Sequence, residues 1–284
     1  MEIKEKIKKN LKKVKVAGLA LAALTSSVLT MPAKAETSFY SFYRFSQPQL
    51  NQDFLNNLGD DYINNIKDWN LRPAQVPIPH ATSLNSFGIG TDVGLEKILE
   101  NINFLESCRE NLYFTANFGI CNFGSIYDQL YIFTDPDYGD YCDRLIREEK
   151  NELLKYSCGI KFKKNLSDKF RLDASVLADL YNLNGSANLT RTRGTLSNPT
   201  SYTQWRNANY NGSSFGLSAG LDLSMMLNRH FSVGLGIGYN SANINTKGDE
   251  IRTSTSSPNP IKKDYDPEFN LNSINADLVA SYRF

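Results

Sequence analysis

The chain has only two histidines and four cysteines among 284 residues, and no apolar run after residue 35 is long enough for a membrane-crossing helix. So little histidine leaves few candidate catalytic bases or metal ligands. A net charge of +1 excludes the strongly basic surface that nucleic-acid binding needs. We therefore expect no cofactor, no metal ion and no nucleic-acid partner. If the chain crosses a membrane beyond residue 35, it must do so as a closed β-barrel.

The N-terminus has the pattern of an export signal. A basic stretch, Lys4 to Lys15, precedes an apolar segment from Val16 to Met31 and then Ala33-Lys34-Ala35. These are the charged region, apolar region and small-residue cleavage site of a secretory signal peptide. We predict that residues 1–35 are removed and that 36–284 form one domain. Removal takes away eight lysines and two acidic residues, which leaves 23 basic against 28 acidic side chains.

The strongest pattern in the remaining chain is the alternation of apolar and polar residues. Residues 271–284 alternate in this way, which predicts a strand with one apolar and one polar face. The segment Thr37 to Phe45 carries aromatic residues on both faces, so it is either the first strand or an extended lead-in. Six further segments alternate over a length that can cross a bilayer: 86–95, 112–121, 154–163, 170–181, 215–225 and 231–240.

The connections between these segments alternate between short and long. Residues 165–168 and 227–230 are tight polar turns, whereas 124–151, 183–211 and 241–270 are long and polar. Bacterial barrels join their strands by short periplasmic turns and long outer loops. We therefore predict three long outer loops here. Ser46 to His80 would be a further outer loop, and Glu96 to Asn111 an unusually long periplasmic connection.

The final strand resembles the closing strand of bacterial outer-membrane barrels, in which a C-terminal Phe after alternating apolar residues is the assembly signal. The whole pattern resembles the small barrels of the OmpA, OmpX and opacity-protein kind. That resemblance implies an all-β, antiparallel, up-and-down transmembrane barrel of eight strands, with ten as the alternative. It also implies a monomer in the cell outer membrane that contacts lipid, lipopolysaccharide and the barrel-assembly machinery. The residues that match the signal are Leu278, Ala280, Tyr282 and Phe284.

The polar face of the predicted strands carries charges of both signs. Because side chains fill the interior of an eight-stranded barrel and an isolated buried charge is costly, we predict a network of ion pairs. The alternative is a narrow polar channel for ions or small solutes. The predicted interior charges are Asp92, Lys161, Lys163, Arg171, Asp173, Asp179, Asp222, Asp277 and Arg283.

No catalytic or metal site is predicted. His230-Phe231-Ser232 is similar to the His-x-Ser element of the lipid A deacylase barrels, but it lies at a predicted periplasmic turn and points inward. His80 is a lone loop histidine. Four aspartates cluster in the second predicted outer loop, but their spacing fits no calcium-binding loop. They are Asp135, Asp137, Asp140 and Asp143.

Four cysteines in an exported protein favour disulfides. Cys121, at the outer end of its strand, and Cys142, in the following loop, could pair. Cys108 and Cys158 fit poorly, because the topology puts one in the periplasm and the other against lipid.

The sequence thus favours surface interaction or envelope integrity through the outer loops, with a surface ligand as the partner and no catalysis. A small-solute channel is the second interpretation, and a lipid-modifying barrel enzyme is the third.

Overall fold

The computed structural model describes residues 36–48, 84–96, 99, 109–135, 139–195 and 198–284. The predicted signal peptide, most of the first outer loop with His80, and most of Glu96 to Asn111 with Cys108 lie outside the described residues. The strands are β1 (Thr37–Pro48), β2 (Leu84–Gly94), β3 (Leu112–Asp135), β4 (Gly139–Asn165), β5 (Phe170–Thr195), β6 (Asn198–Met226), β7 (Phe231–Ser254), β8 (Ile261–Asp264), β9 (Glu268–Asn270) and β10 (Ser273–Arg283).

Eight of these strands form a closed antiparallel ring in the order β10-β1-β2-β3-β4-β5-β6-β7, which the pairing of β10 with β7 completes. The predicted fold class and strand number are therefore confirmed, and the segment that begins at Thr37 is the first strand. The short strands β8 and β9 pair with β7 beyond the end of β10. Residues 261–283 thus run beside β7 as one interrupted strand.

The three segments predicted as outer loops are mostly paired strand. Strands β3 to β7 contain 24 to 29 residues each, whereas β1, β2 and β10 contain 11 or 12. Pairing continues almost to the hairpin tips, as in Asp135↔Gly139 and Thr195↔Asn198. The prediction of loops at 124–151, 183–211 and 241–270 is therefore wrong. We call the part of β3 to β7 that projects past the ring, together with β8 and β9, the wall.

The other end of the barrel, the turn end, has the two four-residue turns 166–169 and 227–230, the first described residue, Glu36, and Phe284. In one turn the Ser167 hydroxyl accepts hydrogen bonds from the backbone of Lys169 and Phe170. In the other, the Asn228 side chain accepts from the backbone of His230 and Phe231 at 2.8 Å. These bonds satisfy backbone groups that a four-residue turn would leave without partners.

The exterior of the ring is an apolar belt. Along β6 the outward side chains run from Phe215 to Met225, and Phe215 is 82% exposed. Ten steps of about 3.3 Å span about 33 Å, which at a tilt of about 40° covers about 25 Å, the height of the apolar band of outer-membrane barrels. In the part of the chain that the structure describes, no helix is long and apolar enough to cross a membrane.

Candidate functional site

The interior begins at β1, whose aromatic residues are divided between its two faces. Phe39, Tyr43 and Phe45 point outward, whereas Tyr40 and Phe42 are buried inside. The inward rings lie against glycines of β2: a Cβ at Gly90 would overlap the Tyr40 ring, and one at Gly88 the Phe42 ring. The aromatic density of this segment therefore serves two functions, filling the interior and covering the exterior.

Asp92 is at the centre of the first group of interior charges. The Lys161 ammonium lies 3.1 Å from its carboxylate and the Lys163 ammonium 2.9 Å from it. Ser38 joins the group, because the Lys163 ammonium donates to its hydroxyl at 3.0 Å. The Lys161 ammonium also lies 4.1 Å from the centre of the Tyr40 ring, a cation–π distance. These contacts link three strands, β1, β2 and β4, through one carboxylate.

A second group lies toward the wall. Arg44 of β1 makes a bidentate ion pair with Asp277, with N–O distances of 2.8 and 2.6 Å. The Lys155 ammonium lies 3.0 Å from the Asp179 carboxylate and donates to Asn240 at 3.1 Å. Lys155 thereby bridges the lumen from β4 to β7. Arg44 is not among the predicted interior charges, because its segment has aromatic residues on both faces and the sequence pattern does not indicate which face points inward.

The remaining predicted charges differ in their surroundings. Arg171 and Asp173 pair with each other on β5 at 2.7 Å, and both are buried. Asp222 is only partly buried and, among the described residues, has no cation within ion-pair distance. Arg283 does not belong to the interior network. It lies at the rim of the turn end, 42% exposed, and pairs with Glu36 at 2.8 Å.

Among the described residues, five cations and five carboxylates therefore face the lumen, and all of them except Asp222 are in direct ion pairs. An ion that passed through would have to compete with these pairs, since no continuous set of unpaired ligands among the described residues replaces its hydration shell. The ten groups are Arg44, Lys155, Lys161, Lys163, Arg171, Asp92, Asp173, Asp179, Asp222 and Asp277.

An apolar layer covers this network at the start of the wall. Phe269 stacks on Tyr210 with the ring centres 5.7 Å apart and meets Phe123 edge-on at 6.2 Å. Ile244 and Leu271 pack in the same cluster and are 0% and 3% exposed. Phe269 and Leu271 come from the connection that leads back into β10, and the Leu271 amide donates to Ala242 at 2.8 Å. The backbone of this connection stays paired with β7, and the Phe269 side chain reaches into the interior to meet residues of β3 and β6.

Between the charges and the apolar layer lies a cavity of about 40 Å³, lined by Arg44, Lys155, Tyr181 and Leu271, among others. This volume holds a few water molecules at most. In the described part of the interior, paired charges, this small partly open cavity and the apolar cluster therefore follow one another from the turn end toward the wall.

The His-x-Ser element is not arranged for catalysis. His230 is exposed, and its Nδ1 atom lies 2.9 Å from the Arg283 carbonyl oxygen. The buried Ser232 hydroxyl lies 2.6 Å from that of Ser281 instead. Among the described residues, no group of three or more His, Cys, Asp or Glu side chains is placed to hold a metal ion.

The cysteines do not pair as predicted. Cys121, Cys142 and Cys158 are free thiols. Cys121 is opposite Leu153 and Cys142 is opposite Ile132, so eleven residues separate the two levels on β3. At about 3.3 Å per residue this is about 36 Å, far beyond the reach of a disulfide. The pairing assumed that residues 124–151 form a loop that can fold back, whereas they form a hairpin.

Three residues of the predicted assembly signal, Leu278, Ala280 and Tyr282, are on the final strand, and Phe284 directly follows it. Leu278, Tyr282 and Phe284 are exposed on the exterior, and Ala280 is partly buried. The Phe284 ring lies 5.5 Å from the Phe39 ring and 5.0 Å from the Tyr282 ring, so it joins the first and last strands. Their role as a signal remains a prediction.

No protein-family model and no curated protein matches the chain. Among solved structures, it is similar to the outer membrane protein OprG from Pseudomonas aeruginosa, at 10% identity over 88% of this chain and 96% of that one, with a TM-score of 0.40. Similarity to Ail, the attachment invasion locus protein of Yersinia pestis, is at 9% identity over 88% and 99%, with a TM-score of 0.36. A major outer membrane protein from Thermus thermophilus gives 10% identity over 87% and 99%, with a TM-score of 0.40.

The geometry of the chain itself identifies the class of protein. The ring is closed, the exterior belt is apolar and about as tall as the apolar band of outer-membrane barrels, and most of the described charges inside are paired. The chain is a small β-barrel of the outer-membrane kind.

Proposed function

We propose that this barrel acts at the cell surface through its wall, in surface interaction or envelope integrity, and that it does not transport solutes. The observation that carries the proposal is the contrast between a filled lumen and a projecting sheet. A protein built for passage would keep its interior open, whereas this chain fills its interior and extends five strands beyond the ring.

The sidedness of the barrel supports placing the wall outside the cell. Both four-residue turns lie at the turn end, where Phe284 donates its backbone N–H to the carbonyl oxygen of Thr37. Outer-membrane barrels keep short turns in the periplasm and their long connections outside. The wall, at the opposite end, then faces the surroundings of the cell.

A conductance experiment tests the closed lumen. Purified full-length protein in planar bilayers is expected to give no stable single-channel steps. The double variant Phe269→Ala/Leu271→Ala removes the apolar layer that covers the lumen, and any conductance should appear only there. A matched control, Phe215→Ala/Leu217→Ala, removes similar volume from the lipid-facing side of β6. Stable steps from the unaltered protein would favour the solute channel and overturn the proposal.

A truncation tests the role of the wall. Ala187 and Ala208 are register partners on β5 and β6, so an Asn-Gly turn can replace residues 188–207 without a change of register. Cells that carry this variant should keep normal amounts of barrel but lose binding to immobilised glycans or matrix proteins, or lose detergent resistance.

A second truncation replaces residues 131–143 of the neighbouring hairpin, between the register partners Leu130 and Arg144, and so shortens the wall at another place. If neither truncation changes cell binding or detergent resistance, the wall has no part in either, and the proposal fails. The monomeric state and the contacts with lipopolysaccharide and the assembly machinery are further expectations of this proposal.

A further inference from the structure

The inner face of the wall has a cluster of positive charges. On β6 the inward residues Ala208 and Tyr210 are buried, and Arg206 is the next residue of the same parity. Its register partner on β7 is Arg252, so two guanidinium groups occupy directly opposed positions on one face. Like charges at such positions repel each other, and a sheet rarely keeps them without compensation.

The compensation in the described residues is incomplete. Glu250 is 4% exposed, and its carboxylate makes a close ion pair with Arg252. Arg206 only approaches that carboxylate, with Nη1 3.9 Å from Oε1. Lys263 of β8 is the register partner of Glu250 and adds a third cation. One carboxylate therefore faces three cations.

Arg206 shows the effect of this imbalance. Its Nε atom is buried and has no hydrogen-bond partner. Burial, followed by the neighbouring charge of Arg252, holds the pKa of Arg206 below its ordinary value, and Arg191 of β5 acts in the same direction. A buried guanidinium N–H without an acceptor is costly, and an oxyanion supplies the acceptors that it lacks.

We propose that the Arg206–Arg252 pair binds an oxyanion, the phosphate or sulfate group of an acidic saccharide. The inference rests on the proposed surface function and names the class of ligand. The oxygens of a tetrahedral oxyanion can accept hydrogen bonds from both guanidinium groups at once, whereas the Glu250 carboxylate pairs closely with Arg252 and stays 3.9 Å from Nη1 of Arg206. The more distant Arg206 supplies the unused donors.

The position of the pair above the membrane agrees with a saccharide ligand. Arg206 lies nine residues beyond Phe215, the last apolar outward residue of the belt on β6. Nine steps correspond to about 30 Å along the strand, or about 23 Å of height at a tilt of about 40°. Two sources of the anion are within that layer: the phosphorylated sugars of lipopolysaccharide in the same membrane, and acidic glycans from outside.

Binding of a soluble probe to the detergent-purified full chain tests the site. With inositol hexakisphosphate as the probe, Arg206→Gln should raise the Kd about tenfold, because a charge-assisted contact is lost. Glu250→Gln should lower the Kd about threefold, because it removes the anion that competes for both guanidinium groups. Lys247→Gln is the matched control: it removes one cation from the outer face of β7 and should change the Kd less than twofold.

Circular dichroism and thermal unfolding check that each variant is folded. If Arg206→Gln does not fold, the expected gain of affinity in Glu250→Gln still tests the proposal. An equal loss of affinity in Lys247→Gln and Arg206→Gln would show only general attraction to a charged surface and overturn the proposal. A higher Kd in Glu250→Gln than in the unaltered protein would also overturn the proposal.

Two further arms separate the sources. Vesicles that contain phosphorylated or dephosphorylated lipopolysaccharide report on the first, and soluble dextran sulfate reports on the second. Arg206-dependent binding in either arm supports the site, and its absence from both refutes it. If the wall truncation abolishes cell binding while Arg206→Gln has no effect on any probe, the proposed function stands and the oxyanion site falls.

Discussion

The two halves of strand β6 differ in which face is apolar: the outward face in the ring, and the inward face in the wall. From Phe215 to Met225 the outward residues are apolar and the inward residues are glycine, serine and Asp222. From Asn207 to Ser213 the outward residues are polar, and Ala208 and Tyr210 point inward and are buried. Strand β7 reverses in the same way near Asn240. The same parity points inward along the whole strand, but the surroundings of the outward face change from lipid to water at this level.

The reversal follows from the hydrophobic effect in two surroundings. In the bilayer an outward apolar residue loses nothing, and polar groups must find partners inside. Above the bilayer water surrounds the sheet, and apolar side chains gain by packing inward, as in a soluble protein. The ring and the wall are thus held together by different forces: ion pairs in the lumen, and the cluster around Ile244 in the wall.

The largest test of this difference is in the ring. Asp92→Asn should lower the free energy of unfolding by about 3–5 kcal/mol, because Lys161 and Lys163 would remain buried without their anion. Urea titration of the protein in phospholipid vesicles measures the loss. A change below about 1 kcal/mol would mean that solvent reaches these ammonium groups, and the lumen would then not be the closed network described above.

A smaller effect compares the two outward faces of β6. Leu221→Arg puts a charge on the lipid side of the ring and should cost about 2–4 kcal/mol. Asn207→Arg puts the same charge on the outward face of the wall and should change stability by less than about 0.5 kcal/mol. The same urea titration compares them. Equal costs would place both residues in the same solvent and contradict the boundary between ring and wall.

One methyl group on β7 gives a finer comparison. Ile244 is fully buried in the wall, whereas Ile237 is 65% exposed on the ring. Ile244→Val should cost about 0.5–1.5 kcal/mol, because the packed cluster cannot fill the space. Ile237→Val should cost less, because lipid chains adapt to the missing group. The order of the two costs decides the matter, and a reversed order would exclude a packed core in the wall.

The smallest effect is expected for an ion pair on the wall surface. Asp249 and Lys262 lie 2.9 Å apart, but both side chains are more than half exposed. Asp249→Asn should change the free energy of unfolding by less than about 0.5 kcal/mol. Added salt screens the pair and should reduce this difference to nearly zero. A loss that approached that of Asp92→Asn would show that exposure does not separate the ion pairs of the wall from those of the ring.

Part of the wall could have been predicted from the sequence. Ala242, Ile244 and Thr246 alternate with Asn243, Asn245 and Lys247, and this alternation continues that of residues 231–240 with its polarity reversed. Beyond the membrane boundary the outward residues of the strands are polar. The polar composition of these segments therefore favours loops when only outward apolar residues are taken as the mark of a strand. The error about the Cys121–Cys142 disulfide followed from the same assumption.

The sequence predicted which charged residues point into the interior, but not which ion pairs they form there. Parity identified Asp92, Lys161 and Lys163 as inward residues, because a period of two assigns every residue of a strand to a face. Which carboxylate each lysine meets depends on the stagger between β2 and β4. Arg44 needed the structure as well, since its face became clear only when Tyr40 and Phe42 were seen against Gly90 and Gly88.

The sequence by itself determined the membrane-crossing ring, because outward apolar and inward polar residues repeat locally along each strand and need no partner to be recognised. Only the tertiary structure decided what closes the lumen and where the guanidinium groups of the wall meet. Phe269 meets Tyr210, and Arg206 meets Arg252, across more than forty residues of chain. Contacts of that kind are set by strand register and by the pairing of residues 261–271 with β7, which no local pattern predicts.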